Sequence, residues 1–174
     1  MVRILDRAIA IVAGFCGLVA ALAIVVLAGF VLGSIISRMV GVYVPGLTNY
    51  AGYCLAIASA FGMAYTFAHQ GHIRVSLLLD RFRGRVRYAW ELVLLLTSAT
   101  LASYLAYYLV TMTMLSYDFQ DRSDGSDELL IYLPQLPFTV GFFFFALITV
   151  LASLRALLQR DLGVQPTGTS GGWD

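Results

Sequence analysis

The chain has 174 residues, 60% of them hydrophobic and only 12% charged, with a mean hydropathy of +0.83. A soluble domain of this length is about half apolar and about a quarter charged, so this balance excludes a single water-soluble core and points to an integral membrane protein. The formal net charge of +1 removes bulk attraction to nucleic acid as a basis for function.

Charged residues punctuate the chain into four uncharged runs. The first, residues 8–37, follows "MVRILDR" and is far longer than the roughly 7–15 apolar residues of a secretory signal, so it reads as a retained membrane span. The second lies within 39–73. There "VPGLTN" places Pro45 and Gly46 before the apolar stretch and predicts a helix from about Leu47 to Ala68. The third is 92–117. The fourth begins at "YLPQLPF", where Pro134 and Pro137 suit the first turns of a helix over about 132–154. Each run exceeds the roughly 20 apolar residues needed to cross a bilayer. In lipid the backbone must satisfy itself, which leaves helix as the form for such segments.

Orientation is read from arginine, the only basic residue type besides histidine. One side collects Arg3, Arg7, Arg74, Arg81, Arg83, Arg85, Arg87, Arg155 and Arg160, while the other holds only Arg38 and Arg122. The positive-inside rule therefore predicts both termini and the central connector to be cytoplasmic. The opposite loop, "YDFQDRSDGSDE", carries Asp118, Asp121, Asp124, Asp127 and Glu128 and is expected to face outward.

The central connector, "GHIRVSLLLDRFRGRVRYAWE", holds five of the eleven arginines. Leu78, Phe82, Val86 and Trp90 recur at i+4, with Arg74, Arg81, Arg83, Arg85 and Arg87 around much of the rest. An apolar stripe beside arginine and ending in Trp predicts a helical arm in the plane of the interface, facing anionic head groups. Gly84 is a natural hinge within it.

Small residues recur at i+4 in the spans: Gly29, Gly33 and Ser37, and Ala13, Gly17 and Ala21, in the first. In the second they are Gly52, Ala56, Ala60, Ala64 and Ala68. Such stripes allow close helix approach where lipid supplies no hydrophobic drive. Contact among the chain's own helices accounts for much of the pattern, and the two sets in span one leave room for a further neighbour.

Chemistry-bearing residues are scarce. The four spans contain no Asp, Glu, Lys or Arg, although membrane sites for ions or catalysis normally place ionisable groups there. Cys16 and Cys54 lie in apolar spans and read as small packing residues. His69 and His72 lack the further ligands of a metal site, so interfacial hydrogen bonding is their expected role. No nucleophile motif, phosphate loop or redox box appears; no catalytic residue, metal or cofactor is expected.

The expected fold is all-α: an integral membrane protein of four transmembrane helices with an amphipathic interfacial arm over 71–90 between the second and third. The membrane domain covers 1–160 and is followed by a flexible cytoplasmic tail, 161–174. The chain resembles the small membrane subunit of tripartite ATP-independent periplasmic (TRAP) transporters. The resemblance is carried by "QGHIRVSLLLDRF" (Gln70 to Phe82) after span two, by "YLPQLPFTVG" (Tyr132 to Gly141) at the start of span four, and by Arg38 closing span one. The second span begins "LTNYAGYC", without the acid common in the family at that place.

The resemblance implies a large multi-span permease subunit as partner, bearing the sodium and substrate sites, and a periplasmic substrate-binding protein that delivers an organic acid. It also implies a bacterial inner-membrane location and a bracing role for this chain. It places His72, Arg74, Arg81, Phe82, Arg83, Arg85, Arg87 and Trp90, with Arg38 at the other end, at the boundary with phospholipid or partner. Two other classes compete: a self-sufficient four-helix exporter, which calls for a buried carboxylate, and a membrane assembly protein outside transport.

Overall fold

The structure is a computed structural model that describes residues 2–42, 44–69, 85–123 and 128–159. Four helices run up and down in chain order: α1 (Val2–Met39), α2 (Leu47–Ala68), α3 (Arg85–Asp118) and α4 (Tyr132–Gln159). All four are long and apolar enough to cross a membrane.

α1 begins at Val2 rather than at residue 8, because Arg3, Asp6 and Arg7 extend the helix beyond its apolar section without breaking it. Its 38 residues correspond to about 57 Å at 1.5 Å per residue. It ends in a Schellman turn: the Val42 N–H bonds the Ser37 carbonyl at 2.9 Å and the Gly41 N–H bonds the Arg38 carbonyl at 3.2 Å. Gly41 takes φ 76°, and a second glycine, Gly46, takes φ 84° immediately before α2. Two left-handed positions within six residues reverse the chain, and glycine adopts them at no steric cost.

α4 is the hub. It packs against α1, α2 and α3, and α1 and α2 pack against each other, whereas α3 makes no comparable contact with α1 or α2. The main core joins Ala13, Cys16 and Ala20 of α1 to Phe61 and Ala64 of α2 and Ile148 of α4. An aromatic trio spans the same three helices. The Phe15 ring centroid lies 5.8 Å from that of Phe144 and 6.5 Å from that of Phe61, and Phe61 lies 6.2 Å from Phe144. Offset or edge-to-face pairs of this kind contribute about 0.5–1.5 kcal/mol each beyond area burial. The smaller α3–α4 core consists of Ala102, Ala106 and Ala146, with Phe145 against it.

The helix expected for span three starts seven residues early, at Arg85. Residues 85–90, read from the sequence as the last part of the in-plane arm, are instead the first turns of α3 and continuous with its membrane section. Gly84, the expected hinge, lies outside the described residues. The rest of the arm, 71–84, and the tail 161–174 lie outside the described residues, as do His72, Arg74, Arg81, Phe82 and Arg83.

Candidate functional site

With no buried charge in the spans, the functional surfaces are helix faces and helix ends. Two helices approach closely at Gly141 of α4. A Cβ added there would meet the Ala60 Cβ at 2.8 Å and the Phe61 ring at 3.0 Å. Ala60 is fully buried, and α2 and α4 touch through the missing side chain of Gly141. Gly17 of α1 plays the same part against Tyr65 of α2, where an added Cβ would come within 2.6 Å of the ring. The Tyr65 ring in turn stacks on His69 at 4.2 Å, and His69 Nδ1 lies 3.0 Å from the Tyr65 carbonyl. His69 thus closes the C-terminus of α2.

The small residues singled out by their spacing divide into two groups. Ala60 and Ala64 are fully buried, and Ala13 of the second α1 set lies in the same core. Ala56 is half-buried. Gly29, Gly33 and Gly52 have open space where a Cβ would sit, so none of the described residues closes on them. From the sequence Gly141 counted only as the end of the "YLPQLPFTVG" motif and not as a packing residue, because it lies in no i+4 series of small residues. The signal available was glycine inside an otherwise bulky apolar run, "TVGFFFF".

α3 is held to α4 differently. Thr113 and Thr139 share a hydrogen bond of 2.9 Å, and the Thr113 hydroxyl also donates to the Leu109 carbonyl at 2.8 Å. Ser153 Oγ lies 2.8 Å from the Thr149 carbonyl of its own helix and 3.3 Å from the Leu95 carbonyl of α3. Thr149 donates to Ala146 on its own helix. The buried hydroxyls therefore bond to their own backbone and twice reach across to the next helix.

The two ends of the bundle differ. At the end carrying the chain's N-terminus, Arg155 Nε of α4 stands 3.0 Å from Asp6 Oδ1 of α1, an approach that is off-line for a hydrogen bond. Both side chains are about 40% exposed, so this ion pair is worth well under 1 kcal/mol. The sequence reading used Arg155 only as an orientation charge and missed the pair, because 149 positions separate its members. Arg85 and Arg87 lie in the first turn of α3 at this end, and Trp90 one turn on is half-exposed.

At the opposite end, Arg38 in the last turn of α1 borders a shallow polar cavity of about 160 Å³. It is lined also by Ser34, Ser37, Gly46, Thr48 and Asn49. The α3–α4 loop folds back on itself there: Arg122 bridges antiparallel to Leu130 and pairs with Glu128 at 3.4 Å in the open. The Tyr53 hydroxyl reaches Ser123 Oγ at 3.4 Å, tying α2 to this loop. The α3–α4 loop thus lies against the start of α2 at this end of the bundle. Among the described residues, no group of three His, Cys, Asp or Glu side chains is placed to hold a metal.

Residues 27–159 match the family model for tripartite ATP-independent periplasmic transporters, DctQ component. No curated protein and no solved structure matches the chain. The match runs from the middle of α1 through α2, α3 and α4, so it contains the Gly141–Ala60 contact, the hydroxyl bonds of α3 and the polar cavity beside Arg38. A four-helix membrane unit with that match over most of its length belongs to the DctQ family, the small permease component of TRAP transporters.

Proposed function

We propose that the chain is the non-catalytic small permease subunit of a sodium-coupled, binding-protein-dependent transporter for organic acids, and that it braces the static scaffold of the large membrane subunit. The family association with a large membrane subunit and a substrate-binding protein supplies the partners. The observation that carries the bracing role is the use made of the buried polar groups. Thr113, Thr139, Thr149 and Ser153 are engaged with helix backbone or with each other, as suits a rigid packing element. A cargo site in lipid is built from ionisable groups and unwound backbone, which these spans do not supply.

In this reading both termini are cytoplasmic and residues 71–84 form a membrane-surface arm. Its Arg74, Arg81 and Arg83, with Arg85 and Arg87 at the foot of α3, meet anionic head groups at about 1 kcal/mol each. The outer surface, residues 38–49 and 118–131, faces the binding protein.

Purification in mild detergent recovers a multi-span partner of several hundred residues with this chain. Reconstituted alone, the chain leaves vesicle contents unchanged; with its partner and the binding protein, sodium-driven uptake appears. Flux through the lone chain would overturn the proposal. Replacing Arg81, Arg83, Arg85 and Arg87 with Gln lowers complex recovery or uptake, and full transport at normal protein level would confine these arginines to setting topology.

A further inference from the structure

The chain has ten tyrosines, and those on described side chains fall into two groups. Tyr50, Tyr53, Tyr65, Tyr117 and Tyr132 stand within the first or last two turns of their helices, at the membrane boundary where tyrosine is ordinarily enriched. Tyr104, Tyr107 and Tyr108 do not. The uncharged section of α3 is bounded by Glu91 and Asp118, and its midpoint falls between residues 104 and 105. At 1.5 Å per residue, the three lie within about 5 Å of that midpoint, at the depth of the bilayer centre.

All three point away from the bundle. Tyr104 is 62% exposed, Tyr107 67% and Tyr108 52%. At 100° per residue, Tyr104 lies diametrically opposite the face that Ala102, Ala106 and Thr113 present to α4. The Tyr104 and Tyr108 ring centroids are 4.6 Å apart, and those of Tyr107 and Tyr108 5.5 Å, so the rings form one continuous aromatic plate. Thr100 and Thr111 flank the plate and satisfy their hydroxyls on the Leu96 and Tyr107 carbonyls of their own helix. A phenol cannot do this, because its hydroxyl stands too far from its own backbone. The Tyr104 and Tyr108 hydroxyls bond each other, which uses one of their two protons; the other, and the Tyr107 hydroxyl, call for a partner from outside the helix.

Acyl chains offer no acceptor, and the head groups lie about 15 Å away, beyond the reach of a tyrosine side chain. The outward face of α1 provides the contrast within the same chain. Leu18, Leu22, Val25, Leu32 and Ile36 are exposed there and carry no polar atom, which suits lipid.

We infer that the α3 face centred on Tyr104, Tyr107 and Tyr108 docks against a transmembrane helix of the large permease subunit. That helix presents hydrogen-bond acceptors at mid-membrane depth, from Ser, Thr, Asn or Gln side chains or from carbonyls freed at a helix break. The inference rests on the proposed function for the existence of that partner. It adds which surface is used and the chemistry that the partner brings to it. The position of α3 fits: among the described residues, α4 is the one helix it packs against extensively, and Tyr104, Tyr107 and Tyr108 stand exposed away from it.

The test is photo-cross-linking in membranes holding both subunits, with p-benzoylphenylalanine at Tyr107 and, for comparison, at Val25. The expected adduct from position 107 has the summed mass of this chain and the large subunit, at several times the yield from position 25. An adduct of twice this chain's mass would assign the face to a second copy. Lipid adducts alone at 107, with the large subunit still co-purifying, would assign it to the bilayer; either result overturns the inference and leaves the proposed function standing. Failure of the large subunit to co-purify with the unaltered chain would overturn both.

As a second measurement, the triple variant Tyr104→Phe, Tyr107→Phe, Tyr108→Phe keeps the rings and removes only the hydroxyls, without touching the α4 contact. It lowers recovery of the large subunit by roughly eightfold, the combined effect of two interhelical hydrogen bonds of ordinary strength in a membrane. Unchanged recovery overturns the inference.

Discussion

α4 meets its neighbours in two different ways. Toward α2, contact depends on an absent side chain: Gly141 lets Ala60 and Phe61 approach to a distance at which a methyl group would collide. Toward α3, a small apolar core of Ala102, Ala106 and Ala146 is joined by polar atoms: the Thr113–Thr139 bond and the reach of Ser153 to the Leu95 carbonyl. The first is packing and has no slack. The second is hydrogen bonding in which most donors keep a partner on their own helix, so it loses little when one member is removed. In lipid, where apolar burial does not drive helices together, these are the two means available. The comparison teaches that steric contacts set the geometry of the α1–α2–α4 trio, while α3, which packs on α4, is held there by interhelical hydrogen bonds as well as apolar contact.

The largest effect that would break this comparison is at Gly141. Gly141→Leu forces α2 and α4 apart, because the nearest obstacle is the Ala60 Cβ, which cannot rotate away. Overpacking of this kind costs about 1–3 kcal/mol or more. Reversible unfolding in mixed micelles should show a loss at the upper end of that range, and a loss below about 0.5 kcal/mol would show the contact to be soft.

Gly17→Ala ranks second, at about 1 kcal/mol. The obstacle there is the Tyr65 ring, which is 41% exposed and can swing out at the expense of its stack on His69. Gly33→Ala serves as its control: nothing lies within 4 Å of the new methyl, and the helical preference for alanine predicts no loss for the isolated chain. A loss at Gly33 would mean that a neighbour closes on it.

Thr139→Val tests the other side of α4. Interhelical hydrogen bonds in membranes average about 0.6 kcal/mol, and Thr113 keeps its bond to the Leu109 carbonyl when Thr139 is gone. A change of about half a kcal/mol is expected in the same unfolding measurement. Two kcal/mol or more would show that α3 is clamped as firmly as α2.

The smallest effect belongs to the ion pair. Arg155→Gln should cost at most a few tenths of a kcal/mol, diminishing further as salt is raised, because both partners are substantially exposed. A salt-independent loss would place the pair in a drier setting.

The four helices were legible in the sequence because charge is expensive in hydrocarbon. The charged residues bracket each span, and the required length leaves little latitude. Helix ends were less legible. Charged residues such as Arg3, Asp6 and Arg85 mark where the apolar section stops, but they do not stop a helix, so α1 and α3 both extend past the predicted limits. The i+4 spacing found small residues without showing which of them meet a neighbour. Gly29, Gly33 and Gly52 share the spacing of Ala60 and Ala64, yet open space lies beside the former and a helix against the latter. The Asp6–Arg155 pair joins the two ends of the chain, and no local pattern encodes such a meeting.

The sequence by itself determined the number of helices, their membrane setting and their family, because these follow from residue-by-residue transfer energies and a short motif. Only the tertiary structure decided that α4 is the hub, that α2 closes on it at Gly141, and that Tyr104, Tyr107 and Tyr108 face outward. Those facts depend on the rotation of each helix about its axis, and in a bilayer that rotation is fixed by which neighbours fit against which side chains.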